Sequence, residues 1–121
     1  MYMLVKSYVD VSFTLFPVPG DFPENLIMTN RSSHAVLIEW SPPNEPNGIV
    51  TGYTIYVNYD NDTSEPERVL MTDGSTLRYT LENLLAFQLV SVQMTANTSA
   101  GEGPRSGSVE ARTNPTGVWN P

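Results

Sequence analysis

A chain of 121 residues with 40% hydrophobic and 16% charged residues holds enough apolar matter for one globular core and is too short for several. Thirteen acidic against six basic side chains give a net charge of −7, so neither nucleic acid nor an anionic membrane surface, both of which need Lys and Arg, is an expected partner. With no cysteine, disulfides, thiolate metal sites and cysteine nucleophiles fall away together. In chain order, Met1 to Gly20 does not read as a secretory leader, because Lys6, Ser7, Asp10 and Ser12 interrupt its apolar stretch; the chain reads as a fragment of something longer. Tyr2 to Phe16 alternates, with Val5, Val9, Val11, Phe13 and Leu15 on one parity and Lys6, Asp10, Ser12 and Thr14 on the other. A remnant of a preceding repeat or a mere extension accounts for this segment first; as the alternative, the pattern predicts an added strand pairing with the domain or with a second copy, as a weak homodimer, with Pro17-Val18-Pro19-Gly20 as hinge.

Beyond it the dominant period stays at two. Met28 marks a first edge strand; Val36, Ile38 and Trp40 alternate with Leu37 and Glu39; Tyr53, Ile55, Val57 and Tyr59 alternate with Thr54, Tyr56 and Asn58. Leu77, Tyr79 and Leu81 follow, then Val90, Val92, Met94 and Ala96, and finally Val109 and Ala111. Turn formers separate these runs: the stretch from Pro42 to Gly48, Asp60-Asn61-Asp62, Asp73-Gly74, and Ser99 to Pro104. No helix is predicted. About seven short strands at this spacing predict an all-β, antiparallel, immunoglobulin-like β-sandwich.

The inventory is poor in chemistry. His34, the sole imidazole, falls in the turn after the first strand, and no scaffold sets it between a nucleophile and a carboxylate as a hydrolytic triad requires. Asp60-Asn61-Asp62-Thr63-Ser64-Glu65 offers oxygen ligands at alternate places, but the sixth and twelfth positions of a calcium loop, Gly and Glu, are here Glu65 and Met71. Gly101-Glu102-Gly103 precedes Pro104 and opens no helix that could present amides to a phosphate. No catalytic residue, cofactor or metal site is therefore expected. Three N-x-[ST] sequons, at Asn30, Asn61 and Asn97, lie on turns or strand ends where a glycan could stay in solvent; Pro115 spoils Asn114.

From about Phe22 to Thr113 the residues resemble the fibronectin type III domain. Pro23-Glu24-Asn25-Leu26 resembles its first strand, and the run Val36 to Pro43, with Trp40 before Pro42-Pro43, its second. Asn47 to Val57 is similar to the third strand and its lead-in, Leu81-Glu82-Asn83-Leu84 to the turn before the sixth, and Ala96 to Pro104 to that strand's exit. The resemblance implies a domain over 22–113, flanked by an extension and Pro-rich linker at 1–21 and a C-terminal linker at 114–121. Its implied core includes Trp40, Tyr53, Leu84 and Val90. Where the family has Pro and a corner tyrosine, this chain has Ala86 and Val90, so one buried hydroxyl bond worth about 0.5–1.5 kcal/mol is missing; with the usual corner kept, Val90→Tyr would be tolerated.

The implied function is a non-catalytic interaction and spacer module of a multidomain cell-surface receptor or adhesion protein, similar to repeats of receptor phosphatases and neural adhesion proteins. Its partners would be other protein domains, either neighbouring repeats or cell-surface ligands, and its location extracellular. An intracellular muscle or scaffold repeat and an accessory domain of a secreted enzyme are the alternatives. The integrin-binding tripeptide Arg-Gly-Asp does not occur.

Overall fold

A computed structural model describes residues 18–59 and 67–116. Its strands are β1 (Glu24–Asn30), β2 (Val36–Ser41), β3 (Gly52–Tyr59), β4 (Arg68–Asp73), β5 (Arg78–Leu81), β6 (Leu89–Thr98), β7 (Gly101–Glu102) and β8 (Val109–Arg112), and no helix occurs among the described residues. One sheet has the order β1-β2-β5; the other runs β4-β3-β6, with both β7 and β8 on the far side of β6. All pairings are antiparallel. Strands β7 and β8 are one strand interrupted: Gly103 N donates to Ala96 O and Ser106 N to Met94 O between them, while Pro104 has no N–H to give. Eight stretches thus make the seven strands of a sandwich.

Alternation sets the core. Val36, Ile38 and Trp40 face Tyr53, Ile55 and Val57 from the opposite sheet, joined by Val90, Val92, Met94 and Ala96 and closed by Leu81 and Leu84. Trp40 and Tyr53 meet edge to face, with centroids 5.5 Å apart. Two details depart from the sequence reading. β5 begins at Arg78, leaving Leu77 39% exposed instead of in the inward row. β4 escaped sequence reading altogether, because Val69-Leu70-Met71 is a solid apolar run in which only Leu70 packs on the core.

Each end of the sandwich is tied differently. At the lead-in end, Pro19 is buried against Gly103, Gly20 N donates to Glu45 O at 2.9 Å and Asn47 Nδ2 donates to Val18 O at 3.1 Å. Val18–Gly20, expected within the linker, is therefore docked on the domain. The Asp73-Gly74 turn lies at this end too, and a Cβ on Gly74 would come within 2.1 Å of Val50 O, so only glycine permits that approach. At the exit end, Thr113 Oγ1 accepts from Gln88 N and donates to Leu85 O, both at 2.7 Å, and Gln88 Oε1 accepts from Leu85 N. Asn114 N donates to Ser32 O and Asn114 O accepts from Phe87 N, which makes Asn114 part of the domain body.

Candidate interaction surface

Side chains of β3, β4, β6 and β8 with the parity of Tyr56 point away from the core, and pairing sets Tyr56 between Val69 and Gln93 and Thr54 between Met71 and Thr95. On this outer face the Arg105 guanidinium lies 3.6 Å over the Tyr56 ring. Two parallel bonds of 3.1 Å to Glu67 hold it there, with Gln93 Oε1 accepting a third. Asn58 Nδ2 donates to the same Glu67 carboxylate, at 3.0 Å. The Tyr56 hydroxyl donates to Glu102, which also accepts from Thr95 Oγ1 at 2.6 Å.

The protonation states follow from these bonds. Donation from Arg105, then from Asn58, holds the Glu67 carboxyl below the usual carboxylate range; Thr95 and Tyr56 do the same for Glu102. Burial, then the bond to anionic Glu102, pushes the Tyr56 phenol up, so it remains a donor at neutral pH. Bonding to Glu67 raises Arg105 further. The result is a fixed aromatic and cationic platform, whose exposed ion pair serves geometry more than stability. Beside it, Met71 is 75% exposed and Val69 51%. Among the described residues Asp73, Glu102 and Glu110 share the outer register with Arg112, and Glu67 and Arg105 join them through their ion pair over Tyr56, so this face is acidic around its apolar pair.

Among the described residues no comparable chemistry gathers elsewhere. His34 is exposed in its turn, its Nδ1 lying 2.9 Å from Leu84 O, and Leu84 N donates back to His34 O. The imidazole straps two connections together on the rim of an open hollow of 340 Å³. Among the described residues no group of three metal-ligating side chains occurs. The Asp60 to Glu65 stretch and Asn61 lie outside the described residues, as does Tyr2 to Phe16 with its expected strand. Asn30 ends β1, half-buried, its Nδ2 3.4 Å from Asn114 Oδ1; Asn97, also half-buried, donates to Thr54 Oγ1 at 3.0 Å.

Trp40, Tyr53, Leu84 and Val90 are all buried. Sequence reading missed the Tyr56–Arg105–Glu67 cluster, since residues 56, 67 and 105 come from three separate stretches. The available signal was the outward parity of Tyr56, an aromatic residue on the solvent side of a strand.

A two-sheet antiparallel sandwich of this strand order defines an immunoglobulin-like module. The chain belongs to the fibronectin type III family, whose model matches residues 21–112. It is 37% identical over 93 residues to the tyrosine-protein phosphatase Lar of Drosophila melanogaster, covering 74% of this chain and 4% of that protein. With human protogenin the identity is 35% over 98 residues, covering 80% of this chain and 8% of the relative. The fifth fibronectin domain of Drosophila Lar superposes with a TM-score of 0.64 at 26% identity, covering 80% of this chain and 98% of that one. The third fibronectin III domain of human KIAA0343 protein, at 21% identity, shares the fold with a TM-score of 0.76 over 96% of this chain and 98% of that one. The chain thus spans a small fraction of the receptor-type relatives it matches. What it shares with them is this non-catalytic fold.

Proposed function

We propose that the domain is an interaction and spacer module in the extracellular part of a multidomain receptor or adhesion protein, and that it recognises protein through the outer face of its larger sheet. The observation that carries this reading is the juxtaposition of Met71 and Val69, both exposed, with a Tyr56–Arg105 platform locked by Glu67. A rigid aromatic beside adaptable methionine is the composition of a protein contact, since the held ring buries area with little ordering cost and the thioether moulds to the partner's shape. The acidic surround selects a partner with Lys and Arg around its own apolar centre. An array of receptor and adhesion ectodomains, probed with the full chain and with a Val69→Asp/Met71→Asp variant, tests this. Protein ligands lost by the variant, at unchanged melting temperature, support the face. Ligands that survive move the contact to the ends of the sandwich, and retention by heparin alone overturns it.

The extracellular location rests on receptor-type relatives and on the sequons at Asn30, Asn61 and Asn97. Expression through a eukaryotic secretory route, with glycosidase treatment and mass spectrometry, should show occupancy of at least one. No occupancy at any of the three favours an intracellular repeat.

A further inference from the structure

Ten asparagines occur in the chain, and only Asn47 is followed by glycine. Both Asn47 and Gly48 are exposed, in the connection from β2 to β3, with φ of 57° and 145°. The Asn47 carboxamide is also a clasp: its Nδ2 donates to Val18 O at 3.1 Å, beside the Gly20 N to Glu45 O bond, and a Cβ on Gly20 would stand 3.0 Å from that nitrogen.

We propose that Asn47 is a deamidation site and that its conversion releases the docked lead-in Val18–Gly20. Glycine leaves the following amide nitrogen unshielded and its backbone free to turn toward the Asn47 side chain; only a Thr98 methyl, at 3.8 Å, lies near where a Gly48 Cβ would be. Gly48 N, losing its proton, bonds to Asn47 Cγ; the Cγ–Nδ2 bond breaks and ammonia leaves, closing a five-membered succinimide. Water then adds to one of the two ring carbonyls, giving aspartate or isoaspartate.

Either product is a carboxylate, which accepts hydrogen bonds and donates none at neutral pH. The clasp on Val18 O is thereby replaced by two oxygens facing each other. The added negative charge also falls next to Glu45, whose carboxylate borders the same place at Gly20, in a chain already at −7. Coupling runs both ways: the docked lead-in holds the carboxamide through Nδ2 and slows ring closure, and ring closure undocks the lead-in. The reading makes Asn47 an irreversible timer on how the domain meets whatever precedes it, independent of the binding face.

The test is incubation of the full chain at mildly alkaline pH and 37 °C, with peptide mapping and isoaspartyl methyltransferase labelling. Asn47 should convert ahead of every other asparagine, and Asn47→Gln, which keeps a donor but closes a six-membered ring slowly, should remove the signal. In the converted protein and in Asn47→Asp, amide exchange at Gly20 should quicken about fivefold while core amides stay unchanged. Conversion no faster than at Asn97 or Asn58 overturns the site. Conversion that leaves Gly20 exchange unaltered overturns the release.

Discussion

The two ends of the sandwich solve one problem, anchoring a chain terminus to a β-domain, in opposite ways. At the exit, Thr113 is 1% exposed and its hydroxyl bridges Gln88 N and Leu85 O, so the final strand is sewn into the connection that a corner tyrosine would otherwise brace. At the lead-in, Val18–Gly20 lies on the domain through the Pro19 ring against Gly103, the Val18 side chain beside Gly101 and two hydrogen bonds. The exit is therefore bound to the stability of the whole fold, whereas the lead-in can open locally while the rest stays intact. A terminus held by buried bonds fixes direction, and one held by a surface clasp can be adjusted.

The scale is set by a change belonging to neither end. Trp40→Ala should lower the unfolding free energy by about 3–5 kcal/mol, read by chemical denaturation, because an indole leaves the largest void this core can suffer. Thr113→Val comes next. It strands the buried Gln88 N–H and Leu85 carbonyl, and denaturant curves should show a loss of about 2–4 kcal/mol. A loss below about 0.5 kcal/mol would mean that the exit is no better anchored than the lead-in.

Val90→Tyr sharpens the contrast. Val90 is fully buried between Tyr59 and Ala111, and Leu85 O already has its donor, so the larger ring meets an occupied corner and should cost about 1–3 kcal/mol. The sequence-based expectation of tolerance assumed the usual corner, and Gln88 with Thr113 removes that premise. Combining Val90→Tyr with Thr113→Ala should cost less than the sum of the two single changes, since the smaller side chain leaves room for the ring and frees the Leu85 carbonyl for the new hydroxyl, although the Gln88 N–H stays unpaired.

Gly103→Ala probes the other end. Its Cβ would stand 2.8 Å from the Pro19 ring and 3.0 Å from Pro19 O, forcing the lead-in off. Global stability should fall by under about 1 kcal/mol while exchange at Gly20 rises. Smallest of all is Tyr53→Phe. The Tyr53 hydroxyl is buried with no partner among the described residues, and burial pushes the phenol up. Removing it should change the melting temperature negligibly or raise it, a shift within about 0.5 kcal/mol. A clear loss would show that the hydroxyl is satisfied in solution.

The all-β class, the inward rows of β2, β3 and β6, and the turns were legible because a half-buried strand writes its burial into a period of two, and Pro, Gly, Asn and Asp declare where the chain reverses. Trp40 and Val90 could be placed in the core from parity alone. β4 could not: three consecutive apolar residues carry no parity, and which one turns inward depends on the register with β3. The corner was legible only as a gap, a valine where a tyrosine belongs. That Gln88 and Thr113, 25 residues apart, fill it is decided by the strand pairing of β6 with β8. The Tyr56–Arg105–Glu67 platform and the Asn47 clasp on Val18 are of the same kind. Each residue's type and local conformation are set by near neighbours in sequence, but hydrogen-bond partners across tens of residues exist only once the sheets have closed.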